Sequence, residues 1–290
     1  MKKIIFLLMI FIICLIGCGK DKAASNKITV MASFYPMAEF ARNVAGDCAE
    51  VKTMVPDGVE PHDWDPAPRD LTQLGKATVF VYNGHVESWA ESALNTLNDR
   101  PIKPVQAGKG LYALNGHTDP HIWVSPKKAL LMVDRITKAL CQADPRNAEA
   151  YTKQGAAYGI ELQKLDEELT KLGAQAPKKK FITAHAAFGH LATDYGLEQI
   201  AVAGISPEDE PTPGRLQSLV QIIRQENVKY VFMETLASPK LTELLAKETG
   251  AKILVLDPIE GLDEEGRKEN MNYVKLMQQN IANLRIALNE

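Results

Sequence analysis

The chain is predicted to fold as two α/β lobes, each a mostly parallel sheet flanked by helices, joined by one long helix. Three observations predict it. Short apolar runs of strand length alternate with helical segments, the pattern of parallel sheets covered on both faces. A stretch rich in Ala, Glu, Leu, Lys and Gln, free of proline after Asp144-Pro145 as far as Gly173, divides that alternation into two series. A length of 290 residues suits roughly two domains.

The elements can be justified in order. Met1-Lys2-Lys3 carries positive charge, and Ile4 to Ile16 is almost unbroken apolar sequence. Such a run is short for a membrane span and fits the apolar region of an export signal. It ends in Leu15-Ile16-Gly17-Cys18, which resembles the lipobox of bacterial lipoproteins, where the signal is cleaved before a cysteine that then carries lipid. Residues 1–17 are therefore expected to be a signal peptide, Cys18 a lipidation site, and 18–27 a polar tether.

The first lobe is expected over 28–143. Residues 28–32 read as a buried strand, and Pro36 opens a helix that Gly46 closes. Strands at 51–55 and 78–82 alternate with helices at 69–76 and 87–97, and 104–106 is a weaker strand. Ser125-Pro126 is an N-cap with proline at the first helical position, starting a helix to about Cys141. Asp144-Pro145 repeats that start signal for the linking helix, 144–173, which at ~1.5 Å per residue would run ~40 Å. Gly155 and Gly159 within it mark sites of close packing.

The second lobe is expected over 178–290. Strands are predicted at 181–183, 199–202, 228–233 and 253–256. Helices are predicted at 188–195, 213–226, 239–249 and 267–288. In open parallel sheets ligands sit beyond the carboxyl ends of the strands.

Composition narrows the function. A formal charge of −3, with no basic run that outweighs it, gives no general attraction to nucleic acid. Of the four cysteines, Cys14 leaves with the signal and Cys18 is the lipidation site. Cys48 and Cys141 remain, in a compartment where a disulfide between them can persist.

Among six histidines, three fall where ligands bind. His62 lies in the loop after a strand, within Glu60-Pro61-His62-Asp63-Trp64. His121 lies in Asp119-Pro120-His121-Ile122-Trp123, ahead of a capped helix, and His185 closes the strand ending at Ala184. Asp257 closes another strand. Three imidazoles with one carboxylate suit zinc in a tetrahedron, whereas manganese favours more oxygen. No two of these residues are neighbours in sequence, so spacing alone leaves a structural role open for each.

The pieces Pro61-His62, Asp119-x-His121-x-Trp123, His185-x-x-Phe188-x-x-Leu191 before Tyr195-Gly196-Leu197, and Leu256-Asp257-Pro258 occur in one order. Together they resemble the substrate-binding proteins of zinc and manganese ATP-binding-cassette importers, the ZnuA/TroA-like cluster A-I family, over about residues 28–290. The resemblance implies a TroA-like fold with a rigid linking helix, and His62, His121, His185 and Asp257 as metal ligands. A histidine at the third position favours Zn2+ over Mn2+, although the His-rich loop common in zinc-type relatives is here only Leu114-Asn115-Gly116-His117-Thr118. Glu60, His85 and Glu234 are candidates to support the ligands, and His190 reads as structural.

The expected function is capture of a divalent metal, zinc first and manganese as the alternative, and delivery to the permease of an importer. The expected protein is a monomer outside the cytoplasmic membrane, held by its N-terminal lipid. Some relatives are described as adhesins, but the chain carries no repeats of an adhesive type. An extracellular zinc hydrolase would keep an open coordination position and a nearby base. The sequence has no His-Glu-x-x-His, and no enzymatic role is expected.

Overall fold

The computed structural model describes residues 27–290. The signal peptide, Cys18 and all of the tether except Lys27 lie outside the described residues. In the first half, β1 (Ile28–Ala32), α1 (Tyr35–Ala45), β2 (Ala49–Thr53), α2 (Pro68–Leu74), β3 (Val79–Tyr82), α3 (Ala90–Thr96) and β4 (Lys103–Gln106) follow one another. Their strands form a parallel sheet in the order β2-β1-β3-β4. The order follows from the residues: all four of β3 are buried, while β2 and β4 expose Glu50 and Lys103 as edge strands do.

A hairpin absent from the sequence expectation comes next, β5 (Ala113–Leu114) against β6 (His117–Thr118). Its turn is Asn115-Gly116, both at positive φ (49° and 84°), the Asn-Gly signature of a two-residue hairpin loop. Helix α4 (Pro126–Ala143) starts as expected, with proline in its first turn. Asp144-Pro145 opens a 3-10 turn, and the long helix α5 runs Ala148–Gln175.

The second half comprises β7 (Lys180–Thr183), α6 (Gly189–Asp194), β8 (Glu198–Ala201), α7 (Pro213–Gln225), β9 (Tyr230–Met233), α8 (Lys240–Thr249) and β10 (Lys252–Val255). The sheet order is β10-β9-β7-β8, again parallel. The expected last helix is two: α9 (Glu264–Lys268) and α10 (Tyr273–Asn289). Asn270 takes a positive φ of 52°, and the Asn272 side chain accepts from Lys275 N to cap the new helix.

The 28 residues of α5 span ~42 Å at ~1.5 Å each. It packs on α1, α4 and α10, and so touches both halves. A Cβ on Gly173 would lie 1.9 Å from the Tyr195 carbonyl oxygen, so only glycine lets α5 lie this close to the second half. One apolar core continues through the molecule, including Phe34, Phe40, Trp123, Leu162, Phe188 and Tyr273. Each such side chain stabilises the fold by ~1.5–3 kcal/mol when buried, so this core opposes wide separation of the halves.

One expectation is corrected here. Cys48 and Cys141 are free thiols rather than a disulfide. Cys141 Sγ instead turns to α5, 3.4 Å from the Ala148 carbonyl oxygen and 3.6 Å from Thr152 Oγ1. No helix among the described residues is long and apolar enough to cross a membrane.

Candidate metal centre

The loops at the carboxyl ends of β2, β7 and β10, with the loop before α4, bring four donor atoms together. His62 Nε2 lies 3.1 Å from His121 Nε2. Glu260 Oε1 lies 3.4 Å from each of those nitrogens and 3.8 Å from His185 Nε2. One donor atom from each of these four residues lies within 4.8 Å of all the others. A tetrahedron with ~2.0–2.1 Å bonds has donors ~3.3 Å apart, so the spacing fits a small four-coordinate cation. His121 and His185 are fully buried. His185 Nε2 and Glu260 Oε1 are buried without a protein hydrogen-bond partner. Such atoms are costly unless something else binds them.

The other ring nitrogens explain why the Nε2 atoms face inward. His121 Nδ1 and its backbone N–H both donate to Asp119 Oδ1, at 2.9 Å each. His185 Nδ1 donates to Glu234 Oε2 at 2.6 Å, and His185 N to Glu234 Oε1 at 3.0 Å. A carboxylate accepting at Nδ1 fixes the tautomer that offers Nε2 as a lone pair, the usual support for a metal-binding imidazole. Glu60 takes part through its Oε1, which accepts from the His62 backbone N–H at 3.2 Å. Glu60 and Glu234 therefore both contact predicted site residues. His85 does not: it is exposed, with its ring edge-on to Tyr112 at 4.4 Å.

The structure brings Glu260, not Asp257, to the three histidines. The Asp257 carboxylate is consumed locally, Oδ1 accepting from Ile259 N at 2.6 Å and Oδ2 from Thr235 Oγ1 at 2.9 Å. Its backbone N–H and carbonyl are both held by the Asn280 side chain. These bonds fold the loop through Ile259, which takes a positive φ of 59° that a β-branched residue adopts only when its surroundings impose it. Trp123 adds a further tie, its indole N–H donating to Pro258 O at 2.7 Å. Asp257 thus shapes the turn that presents Glu260.

Burial and neighbouring charges shift the titratable groups of the site in both directions. Burial pushes the Glu260 carboxyl up, but the His121 and His62 side chains close to it and the charge of His185 and His121 hold it well below the ordinary range. Burial likewise disfavours charge on His121, yet Asp119 and Glu260 raise it to about 9. Glu60 rises to about 8, chiefly by burial and then by repulsion from Glu260. Asp257 rises to about 6, mainly by burial.

A family model described as ZnuA, zinc-uptake complex component A, periplasmic, matches residues 30–287. The chain belongs to the ZnuA family. Among its relatives, it is 36% identical over 304 residues to the zinc-binding lipoprotein AdcA of Streptococcus pneumoniae strain R6. That alignment covers 98% of this chain but 61% of AdcA, so the chain spans about three fifths of that relative. It is also 36% identical over 288 residues to the high-affinity zinc uptake system protein ZnuA of Bacillus subtilis, covering 93% of this chain and 90% of that one. The crystal structure of the Zn(II)-bound ZnuA-like domain of S. pneumoniae AdcA superposes with a TM-score of 0.82 at 37% identity, covering 91% of this chain and all of that domain. The two-sheet architecture with its long helix is thus that of ZnuA-family proteins.

Proposed function

We propose that this chain is the extracytoplasmic receptor of a zinc importer, binding Zn2+ through His62, His121 and His185 Nε2 and a Glu260 carboxylate oxygen. The observation that carries the reading is the convergence of those four donors at tetrahedral spacing, two of them otherwise orphaned. Three imidazoles and one carboxylate match the preference of zinc, and the site lacks the extra oxygens manganese takes. The names of the relatives, which specify zinc binding and zinc uptake, support the same metal.

Four protein donors fill a tetrahedral shell. That arrangement suits capture and release of the ion as cargo, whereas a hydrolytic zinc keeps a position for water. Delivery is to the permease of an ATP-binding-cassette importer, and Cys18 would tether the receptor as a lipidated monomer beside it. The relative described as a lipoprotein supports that tether.

Competitive titration of the metal-stripped protein with Zn2+ and Mn2+, repeated on His185→Glu, tests the reading. Zinc is expected to displace manganese from the unaltered chain at equal concentration, and His185→Glu to narrow the difference. Displacement of zinc by manganese from the unaltered chain would overturn the assignment.

A further inference from the structure

The short helix α6 grips the segment that carries His121. His190 is fully buried, and its Nε2 lies 2.9 Å from the Asp119 carbonyl oxygen. A carbonyl only accepts, so Nε2 carries the hydrogen and Nδ1 is bare; Nδ1 is buried and has no hydrogen-bond partner. The ring is therefore kept in the core for one polar bond. Burial also holds its pKa below the ordinary value, which keeps that tautomer neutral. Beside it, a Cβ on Gly189 would come 2.8 Å from Asp119 Oδ2 and 2.6 Å from Leu114 Cδ2, so the backbone of α6 lies directly against the Asp119 side chain.

At its other end α6 holds the same stretch of chain. Asp194 Oδ2 accepts from Ser125 Oγ at 2.6 Å and pairs with Lys128. The Tyr195 hydroxyl, just past the helix, accepts from Lys127 N at 3.3 Å and donates to Asp166 of α5 at 2.8 Å.

We infer that Gly189 and His190 are positioning residues for the metal centre: they hold Asp119 from the second half so that its Oδ1 fixes His121 with Nε2 toward the ion. The inference rests on the metal-capture reading for its consequence, though not for its geometry. Asp119 receives its hold from α6 on the carbonyl and on the side-chain face, and passes it to His121 through two hydrogen bonds. Loss of a bond that orients a ligating histidine lowers metal affinity ~10–100-fold.

The test reads two imidazole protons in the full chain by NMR, Nδ1–H of His121 and Nδ1–H of His185, with zinc competition on the same samples. In His190→Leu, the His121 proton is expected to exchange with water at least about tenfold faster, with zinc affinity down ~10–100-fold. The His185 proton, held by Glu234, stays as in the parent. His190→Gln, which keeps an N–H near the same place, restores both readings. Gly189→Ala, which displaces Asp119 from the other side, reproduces the His190→Leu pattern and serves if that variant does not fold. Unchanged exchange at His121 in both variants, or equal loosening at His121 and His185, would overturn the inference. If the unaltered chain fails to take up zinc while the proton pattern holds, the positioning stands and the metal reading falls.

Discussion

At the scale of single residues, two carboxylates three positions apart do different work. Glu260 Oε1 faces the three imidazoles, whereas both Asp257 oxygens are spent on Ile259 N and Thr235. Glu260→Gln is therefore expected to lower zinc affinity by two orders of magnitude or more, read by chelator competition. Asp257→Asn keeps an acceptor for Ile259 N and should cost less than about tenfold. Glu234→Gln should weaken zinc binding ~10–100-fold without touching the ion, because it removes the acceptor that fixes the His185 tautomer.

Titration at the site also gives a signed prediction. His121 is raised from 6.5 to about 9 in the folded, metal-free chain, so its contribution to stability is complete below pH ~6.5 and lost as pH rises through ~9. Glu60, raised from 4.5 to about 8, shifts stability in the same sense, since the folded state holds its proton longer than the unfolded chain. The melting temperature of the metal-free protein should thus fall between pH 6.5 and 9. Zinc affinity should rise over the same range, since His121 must lose its proton to bind. A flat melting profile together with pH-independent affinity would contradict this.

At the scale of elements, what was legible in the sequence and what was not divide along physical lines. Central strands such as β3 are continuous apolar runs, and the proline and glycine punctuation of α1 is local, so both could be read. His62, His121 and His185 were legible because each lies in a loop or at a strand end beside a recognisable element, within motifs that resemble those of the family. Glu260 was not, because its placement depends on the turn through Ile259 at φ 59°, which Asp257, Thr235 and Asn280 impose from elsewhere in the chain. The pattern Leu256-Asp257-Pro258 pointed to the nearer carboxylate instead. Asn115-Gly116 is a hairpin signal that could have been read, whereas the break between α9 and α10 rests on Asn272, a weak local cue within a helical pattern. Packing of α5 gives a test at this scale. Gly173→Ala would force a Cβ into the Tyr195 carbonyl, so it should lower stability by ~1–3 kcal/mol, measured by urea unfolding of the metal-free chain.

At the scale of the molecule, the donors come from loops of both sheets while the core runs unbroken beneath them. An ion held by these donors would therefore join the two halves above a core that already joins them below. Zinc at a thousand times its dissociation constant should stabilise the chain by ~4 kcal/mol, visible as a rise in melting temperature. The most direct test of the central claim is a crystal structure of the zinc-loaded chain, with the ion located by anomalous scattering at the zinc edge. One ion is expected, ~2.0–2.2 Å from His62, His121 and His185 Nε2 and from a Glu260 oxygen. An ion bound instead by the Asp257 carboxylate, with Glu260 turned away, would contradict it.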